Sequence, residues 1–433
     1  MKFKRLKALF TNPEIRKKAF FTLGILLVFR IGVHISIPGV DIDSIKQATV
    51  GSGAGIFEIM NMLGGNALSN YSIFGLGVGP YITASIIIQL LAMDIVPYLS
   101  DLQNSGEAGR KKLSQITRWI SIVLSLAQGY MLTIAFNTQY ASVLNPTFMG
   151  FTTIAFIMMA GAMFILWLAD QITVKGLGNG TSMIIFAGIV DKVPISFWNI
   201  MKSFFQNTSN SDVMATLMSV GVIVLFVVLI VFTVFTQQAT RKIPIQYASN
   251  TTKAGETTYL PFKINVAGVI PVIFASAILM APATIMQFVA PNATDGVAGF
   301  FTQLFDYSTP QGLVLYIGLI FAFTYFYAHL QVDAKKLAEN LGRSGGYIIG
   351  VRPGEETRQF VIKTVNKLNF LGAASLAIIA AVPIILPMIS GIDRGQAYGL
   401  GGTGLIIMVG VALEMVTKID SMNSTTTKRS FIK

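Results

Sequence analysis

The sequence contains no cysteine and only two histidines, His34 and His329. Without Cys there is no disulfide framework, thiol nucleophile, Cys-ligated zinc or iron–sulfur cluster. Two isolated imidazoles are too few to suggest a metal centre. Charge is equally scarce: Asp, Glu, Lys and Arg make up 12% of the 433 residues, while 53% are apolar. An average soluble domain carries about 25% charged residues. A soluble fold of this size would leave more apolar surface than its polar residues could cover. These deficits all but exclude a soluble enzyme and predict a polytopic membrane protein. The phosphate-loop pattern G-x-x-x-x-G-K-[ST] is absent, so nucleotide-driven work falls to a partner. The metalloprotease pattern H-E-x-x-H is also absent, which argues against an intramembrane enzyme.

What is present is a series of long apolar runs. A bilayer core of about 30 Å needs about 20 apolar residues in a helix. On that scale ten spans can be read, at roughly 19–37, 74–93, 116–136, 149–169, 180–198, 213–236, 265–289, 309–329, 368–389 and 398–417. The first is too long and too polar at its end for a removable signal peptide, and it lacks a small-residue cleavage site. The net charge is +12, and its distribution sets a topology. With the N-terminus inside, all Lys and Arg fall on inner segments except Lys46, Lys192, Lys202 and Arg394, together with Arg30 in the first span. This asymmetry predicts both termini in the cytoplasm. Ten spans divide into halves of five, 1–198 and 199–433. If the halves are structural repeats, one must be inverted relative to the other; no sequence repeat is evident.

Several features depart from plain spanning helices. Residues 51–79 are too apolar for a solvated loop and too Gly-broken to span. Within them Ile56, Ile59, Met60 and Leu63 share one helical face, and Gly64-Gly65 ends that helix. The segment reads either as an interfacial helix or as a re-entrant segment buried in a cavity. The second span opens on Gly75–Pro80 and carries Thr83, Ser85 and Gln89, residue types that often mediate helix packing in membranes. The fifth opens on Gly176–Gly180. Carboxylates are few, with Asp170 and Glu414 near cytoplasmic span ends. Arg30 is the clearest intramembrane charge, and it reads as snorkelling or as a helix-pairing hydrogen bond. Ion-coupled transporters place ionisable groups near the midplane, so this scarcity argues against proton or sodium coupling. Two long cytoplasmic loops, 237–264 and 330–367, mix basic with apolar residues, which suits partner docking or lipid headgroup binding.

At this point the residues become recognisable. Ser72–Leu91 (SIFGLGVGPYITASIIIQLL), Gly176–Val190 (GLGNGTSMIIFAGIV), Gly268–Ser276 (GVIPVIFAS), Leu341–Thr357 (LGRSGGYIIGVRPGEET) and Gly401–Val409 (GGTGLIIMV) resemble the hallmark segments of the SecY/Sec61-alpha family, the central subunits of protein-conducting channels. The resemblance runs essentially end to end, in the right order. The lack of Cys and the short C-terminal tail resemble Gram-positive members.

The resemblance implies an all-α polytopic protein whose two inverted five-helix halves close around a central pore in the bacterial plasma membrane. It also implies that the channel opens across the membrane for secreted chains and sideways, between the second and seventh helices, for membrane segments. The implied partners are SecE, SecG, the SecA ATPase, the ribosome, signal peptides, precursor polypeptides and membrane lipids; no cofactor and no enzymatic activity are implied. Residue by residue, the pore ring falls on Val78 and Ile82, Thr181 and Ile185, Ile273, and Ile407. Thr181 departs from the Ile usual there: either the ring includes one hydroxyl or Thr181 points elsewhere. The plug falls on 56–66, with Ile56, Ile59, Met60, Leu63, Gly64 and Gly65. The lateral gate falls on Thr83, Gln128 and Ser276. Docking falls on Arg241 and Lys242 and on Arg352, Pro353 and Gly354, where Pro353 favours extended geometry at residue 352 and Gly354 permits a sharp turn. The competing reading is a ten-helix secondary transporter of a small solute, against which the scarce midplane carboxylates and the apolar constriction both count.

Overall fold

The computed structural model describes residues 12–41, 61, 64–65, 67–93, 95–140, 143–207, 212–247, 258–289, 296–306, 309–390 and 402–430. In chain order the helices are α1 Pro13–Val33, α2 Gly79–Leu91, α3 Pro97–Asn104, α4 Gly106–Tyr140, α5 Phe148–Lys175, α6 Gly180–Asn207 and α7 Asp212–Gln238. After strands β1 Thr240–Tyr247 and β2 Thr258–Lys263 come α8 Ile270–Val289, α9 Gly296–Phe305, α10 Pro310–Gln331 and α11 Ala334–Arg343. Strand β3 Gly346–Ile348, α12 Glu355–Ser390 and α13 Gly402–Ser430 complete the chain.

The helix starts follow local chemistry. Pro occupies the first turn of α1, α2 and α10, where its missing N–H costs little. Asn12, Thr147 and Thr309 cap α1, α5 and α10 by accepting from the backbone N–H of Glu14, Gly150 and Gly312. Such caps satisfy donors that the helix itself leaves unpaired.

Each of the ten apolar runs read from sequence overlaps one helix: α1, α2, α4, α5, α6, α7, α8, α10, α12 or α13. Among the described residues, five helices are long and apolar enough to cross a membrane. They lie in α4, α5, α7, the α10–α11 stretch and α12; α2 and 270–279 of α8 are shorter apolar helices. The outer surface agrees with a lipid environment. Phe20, Leu23 and Leu27 on α1, Trp119 on α4, Trp167 on α5 and Val231 and Phe235 on α7 are all exposed. Apolar surface of that extent is rare on a water-facing monomer.

The all-α expectation needs a correction. The stretch 237–264 is not a loop but contains an antiparallel hairpin, and β3 extends it into a three-stranded sheet in the order β2-β1-β3. Ile243 pairs with Leu260, and Ile245 with Thr258 on one side and Ile348 on the other. Burial alternates along β1, with Ile243 and Ile245 inward and their neighbours outward, the period of a half-buried strand. Pro244 masks the signal in the sequence. It is tolerated because the pairing with β3 begins only at Ile245, which leaves an edge beside Pro244. The sheet packs Ile243, Phe262 and Ile348 against Ala328 of α10 and Val361, Val365 and Leu368 of α12.

The two halves meet along two seams. On one, α8 packs against α2 and α4; on the other, α6 packs against α7 and α13. The main buried core runs between these seams and takes residues from both halves.

Candidate pore, plug and gate

Five of the six ring positions lie in or against the main buried core. Val78 and Ile82 at the start of α2, Ile185 on α6 and Ile407 on α13 are all buried in one apolar cluster, and the half-buried Ile273 of α8 packs against it. Four helices, two from each half, thus contribute to the same extended apolar core. Thr181 is partly exposed in the first turn of α6, where its backbone N–H donates to the Asn179 side-chain Oδ1 at 3.1 Å. The turn leading into α6 is fixed from α1, since Leu177 N donates to the Thr22 hydroxyl at 3.0 Å.

Of the plug positions, Ile56, Ile59, Met60 and Leu63 lie outside the described residues. Gly64 and Gly65 are buried in a tight turn. Gly65 has a φ of +66°, the left-handed region that favours glycine. A Cβ there would stand 2.9 Å from the Gly188 backbone, so the turn lies directly against α6. Asn61, which sequence reasoning missed, closes this turn: its amide oxygen accepts from Ser69 N at 3.0 Å, and its Nδ2 donates to the Ser69 hydroxyl at 2.9 Å. The base of the loop is pinned where Ile37 N donates to Tyr71 O and Ile73 N to Ile35 O, each at 3.0 Å.

Arg30 resolves as a helix-pairing residue. Its Nη2 lies 2.6 Å from Asp191 Oδ2 on α6, and its Nη1 donates to Gly65 O at 3.1 Å. The approach to Asp191 is off the donor axis, so Oδ2 has no directional hydrogen bond and the attraction is coulombic. The sequence reading overlooked Asp191. A further pair, Arg118 with Asp170 at 2.7 Å, joins α4 to α5.

The three expected gate residues do not bond to one another by their hydroxyls. Thr83 Oγ1 donates to Gly79 O at 3.2 Å, and the buried Ser276 Oγ donates to Ile273 O at 2.9 Å, each within its own helix. Gln128 is half-buried on α4. The polar bridge between halves is instead Tyr327 of α10, whose hydroxyl donates to Gln89 Oε1 of α2 at 2.8 Å. Gln89 Nε2 in turn donates to Ser85 Oγ at 2.9 Å. The i, i+4 spacing of Ser85 and Gln89 was visible in sequence; Tyr327 was not singled out.

Arg241 and Lys242 are exposed on β1. Arg352 sits in the turn between β3 and α12, its side chain 87% exposed and only 3.9 Å from Glu356. Gly354 has a φ of +98°, and Thr357 ties the turn by donating to Arg352 O at 2.8 Å. On the same side, Asp333 caps α11. The backbone N–H of Lys336 holds its carboxyl below the usual carboxylate range, aided by the Lys336 ammonium and Lys335 N–H. Among the described residues no group of His, Asp and Glu could hold a metal ion.

With this geometry in place, the comparisons become informative. The SecY family model matches residues 72–416. The protein translocase subunit SecY 1 of Lactobacillus kefiranofaciens is 43% identical over 426 residues, covering 97% of each chain. The protein translocase subunit SecY of Bacillus subtilis is 41% identical over 438 residues, covering 100% of each. A solved structure of a protein-conducting channel aligns with a TM-score of 0.66 at 18% identity, covering 93% of this chain and 91% of that one. A second solved structure, which concerns the plug domain of a SecY protein, aligns with a TM-score of 0.64 at 18% identity over the same shares. On the strength of the family model and the full-length relatives, the chain belongs to the SecY family.

Proposed function

We propose that this chain is the pore subunit of a bacterial plasma-membrane translocase. It passes unfolded secretory polypeptides across the bilayer and releases membrane segments sideways between α2 and α8. The carrying observation is that Val78, Ile82, Ile185, Ile273 and Ile407, drawn from both halves, all lie in or against one apolar core, which supports a shared constriction. Narrow apolar constrictions resist wetting and ion flow, yet they yield around a moving chain because nothing in them needs a fixed hydrogen-bond partner. On this reading the ten helices that overlap the apolar runs all span. The halves 1–198 and 199–433 are inverted repeats, and both termini are cytoplasmic. Segment 56–66 plugs the outer side of the ring. A solved structure of the same fold concerns the plug domain of a SecY protein, which supports that role.

The channel does no bond chemistry of its own, so SecA or a translating ribosome supplies the drive at Arg241, Lys242 and the 352–354 turn. SecE and SecG complete the membrane complex, while signal peptides and lipids meet at the gate. The chain, purified with its membrane partners in proteoliposomes, should import an unfolded precursor only when SecA and ATP are present. Precursor exclusion combined with gradient-driven uptake of a small solute would instead favour the transporter reading.

A further inference from the structure

Arg30 is a costly residue to keep inside a membrane helix, and the structure gives it two partners with different fates. Asp191 is on α6, and α1 and α6 both belong to the N-terminal half and pack together. Separation of the halves leaves that ion pair in place. The second partner is a backbone carbonyl at the end of the segment read as the plug, Gly65 O at 3.1 Å. The carbonyl is aimed there because Gly65 is left-handed and its Cα lies against Gly188.

We infer that Arg30 anchors the plug: with Asp191 fixing its guanidinium, it grips the Gly65 carbonyl in the resting channel and remains as a preformed seat when the plug leaves. This rests on the plug reading of 56–66 given above. The chemistry favours arginine, because its planar fork serves an anion and a carbonyl at once; a lysine ammonium at that point serves one or the other. Gly65 lies near the C-terminal end of the plug segment, so releasing the Arg30–Gly65 hydrogen bond loosens that end while the Arg30–Asp191 pair stays intact. Resealing then needs only the return of the Gly65 turn, with no rebuilding of the site.

The test uses the channel complex in planar bilayers and reads resting ion conductance and the time to reclose after a precursor clears. The variants are Asp191→Asn, Arg30→Gln, Arg30→Lys and deletion of 56–66, each with a melting temperature measured on the purified complex. A displaced plug is a minor state, populated at about 0.1–10% in a typical two-state equilibrium, and losing a hydrogen bond to a charged group should raise the resting leak by about tenfold. Asp191→Asn and Arg30→Gln should both leak and reclose slowly, Arg30→Lys should leak less, and Arg30→Gln should add nothing to the deletion. If the deletion leaks while Asp191→Asn and Arg30→Gln stay at the wild-type level, the anchor is overturned and the plug reading stands. If the deletion itself does not leak, the plug reading falls and the anchor with it. A lowered melting temperature with unchanged leak in Asp191→Asn, which is isosteric and the safer folder, would reduce the pair to helix packing and also overturn the proposal.

Discussion

Tyr71 carries a φ of +42°, a conformation that a bulky L residue adopts only under constraint. The constraint is visible: the ring is fully buried edge-on to Phe136, and its hydroxyl donates to Thr133 at 3.1 Å. Strain at the exit of the plug segment is thus held by packing against α4. Arg352 is the opposite case, a residue with almost nothing holding it. An exposed pair such as Arg352–Glu356, at 3.9 Å, is worth about 0–1 kcal/mol, so Glu356 does not compete seriously for the guanidinium. Pro353 and the left-handed Gly354 present that group beyond the sheet. Arg352→Glu should therefore block SecA-driven export while leaving assembly of the membrane complex intact. Truncating one member of an interfacial charge pair costs about 2–5 kcal/mol, and reversing the charge should cost no less. The readouts are precursor transport into vesicles and stimulation of the SecA ATPase; normal values of both would refute the docking role.

At the scale of elements, the helices were legible and the short connecting structure was not. A run of apolar residues marks α5 or α7 without ambiguity, because few alternatives bury so much greasy surface. Helix ends were less clear: α12 begins at Glu355 and α4 at Gly106, each some turns before its apolar run, since polar helical turns outside the bilayer leave no hydropathy signal. The β1–β2 hairpin was hidden by Pro244 and Pro261, and β3 by its three-residue length. Asp191 was missed because Asp191-Lys192 resembles the outer margin of a span, whereas α6 runs on to Asn207. The ring positions came from the family resemblance alone; the i, i+4 spacings of Val78 with Ile82 and of Thr181 with Ile185 are compatible with it but say nothing about which helices converge. For the plug, the amphipathic face of 56–63 and the Gly64-Gly65 stop gave the segment. Deleting 56–66 should raise resting conductance while precursor transport is largely retained, because the ring itself is untouched. Planar-bilayer recordings of the resting complex decide it, and an unchanged baseline would count against a plug.

For the whole molecule the question is what holds the halves together on the side that must open. The seam of α8 against α2 and α4 is mostly apolar, and apolar contacts between helices compete only weakly with lipid. A polar contact there carries more weight per residue. The expected trio of Thr83, Gln128 and Ser276 contributes less than its polarity suggests, because two of its hydroxyls are already satisfied within their own helices. Replacing those two with Val or Ala removes little that crosses the seam. Gln89 and Tyr327 do cross between halves, and their hydrogen bond at 2.8 Å should be worth about 0.6 kcal/mol, at most about 1–2. A cost of about 0.6 kcal/mol is roughly a threefold change in the opening equilibrium. The expected order follows. Tyr327→Phe and Gln89→Leu should lower the hydrophobicity that a signal sequence needs for insertion, with the double variant no lower than either single one. Thr83→Val and Ser276→Ala should shift that threshold less, and Gln128→Leu should show whether α4 shares the load. The measurement is insertion efficiency across a graded series of signal sequences. Equal shifts from Thr83→Val and Tyr327→Phe would place the restraint back on the expected gate residues of α2, and additivity of the Gln89 and Tyr327 variants would mean that the two do not act through one bond.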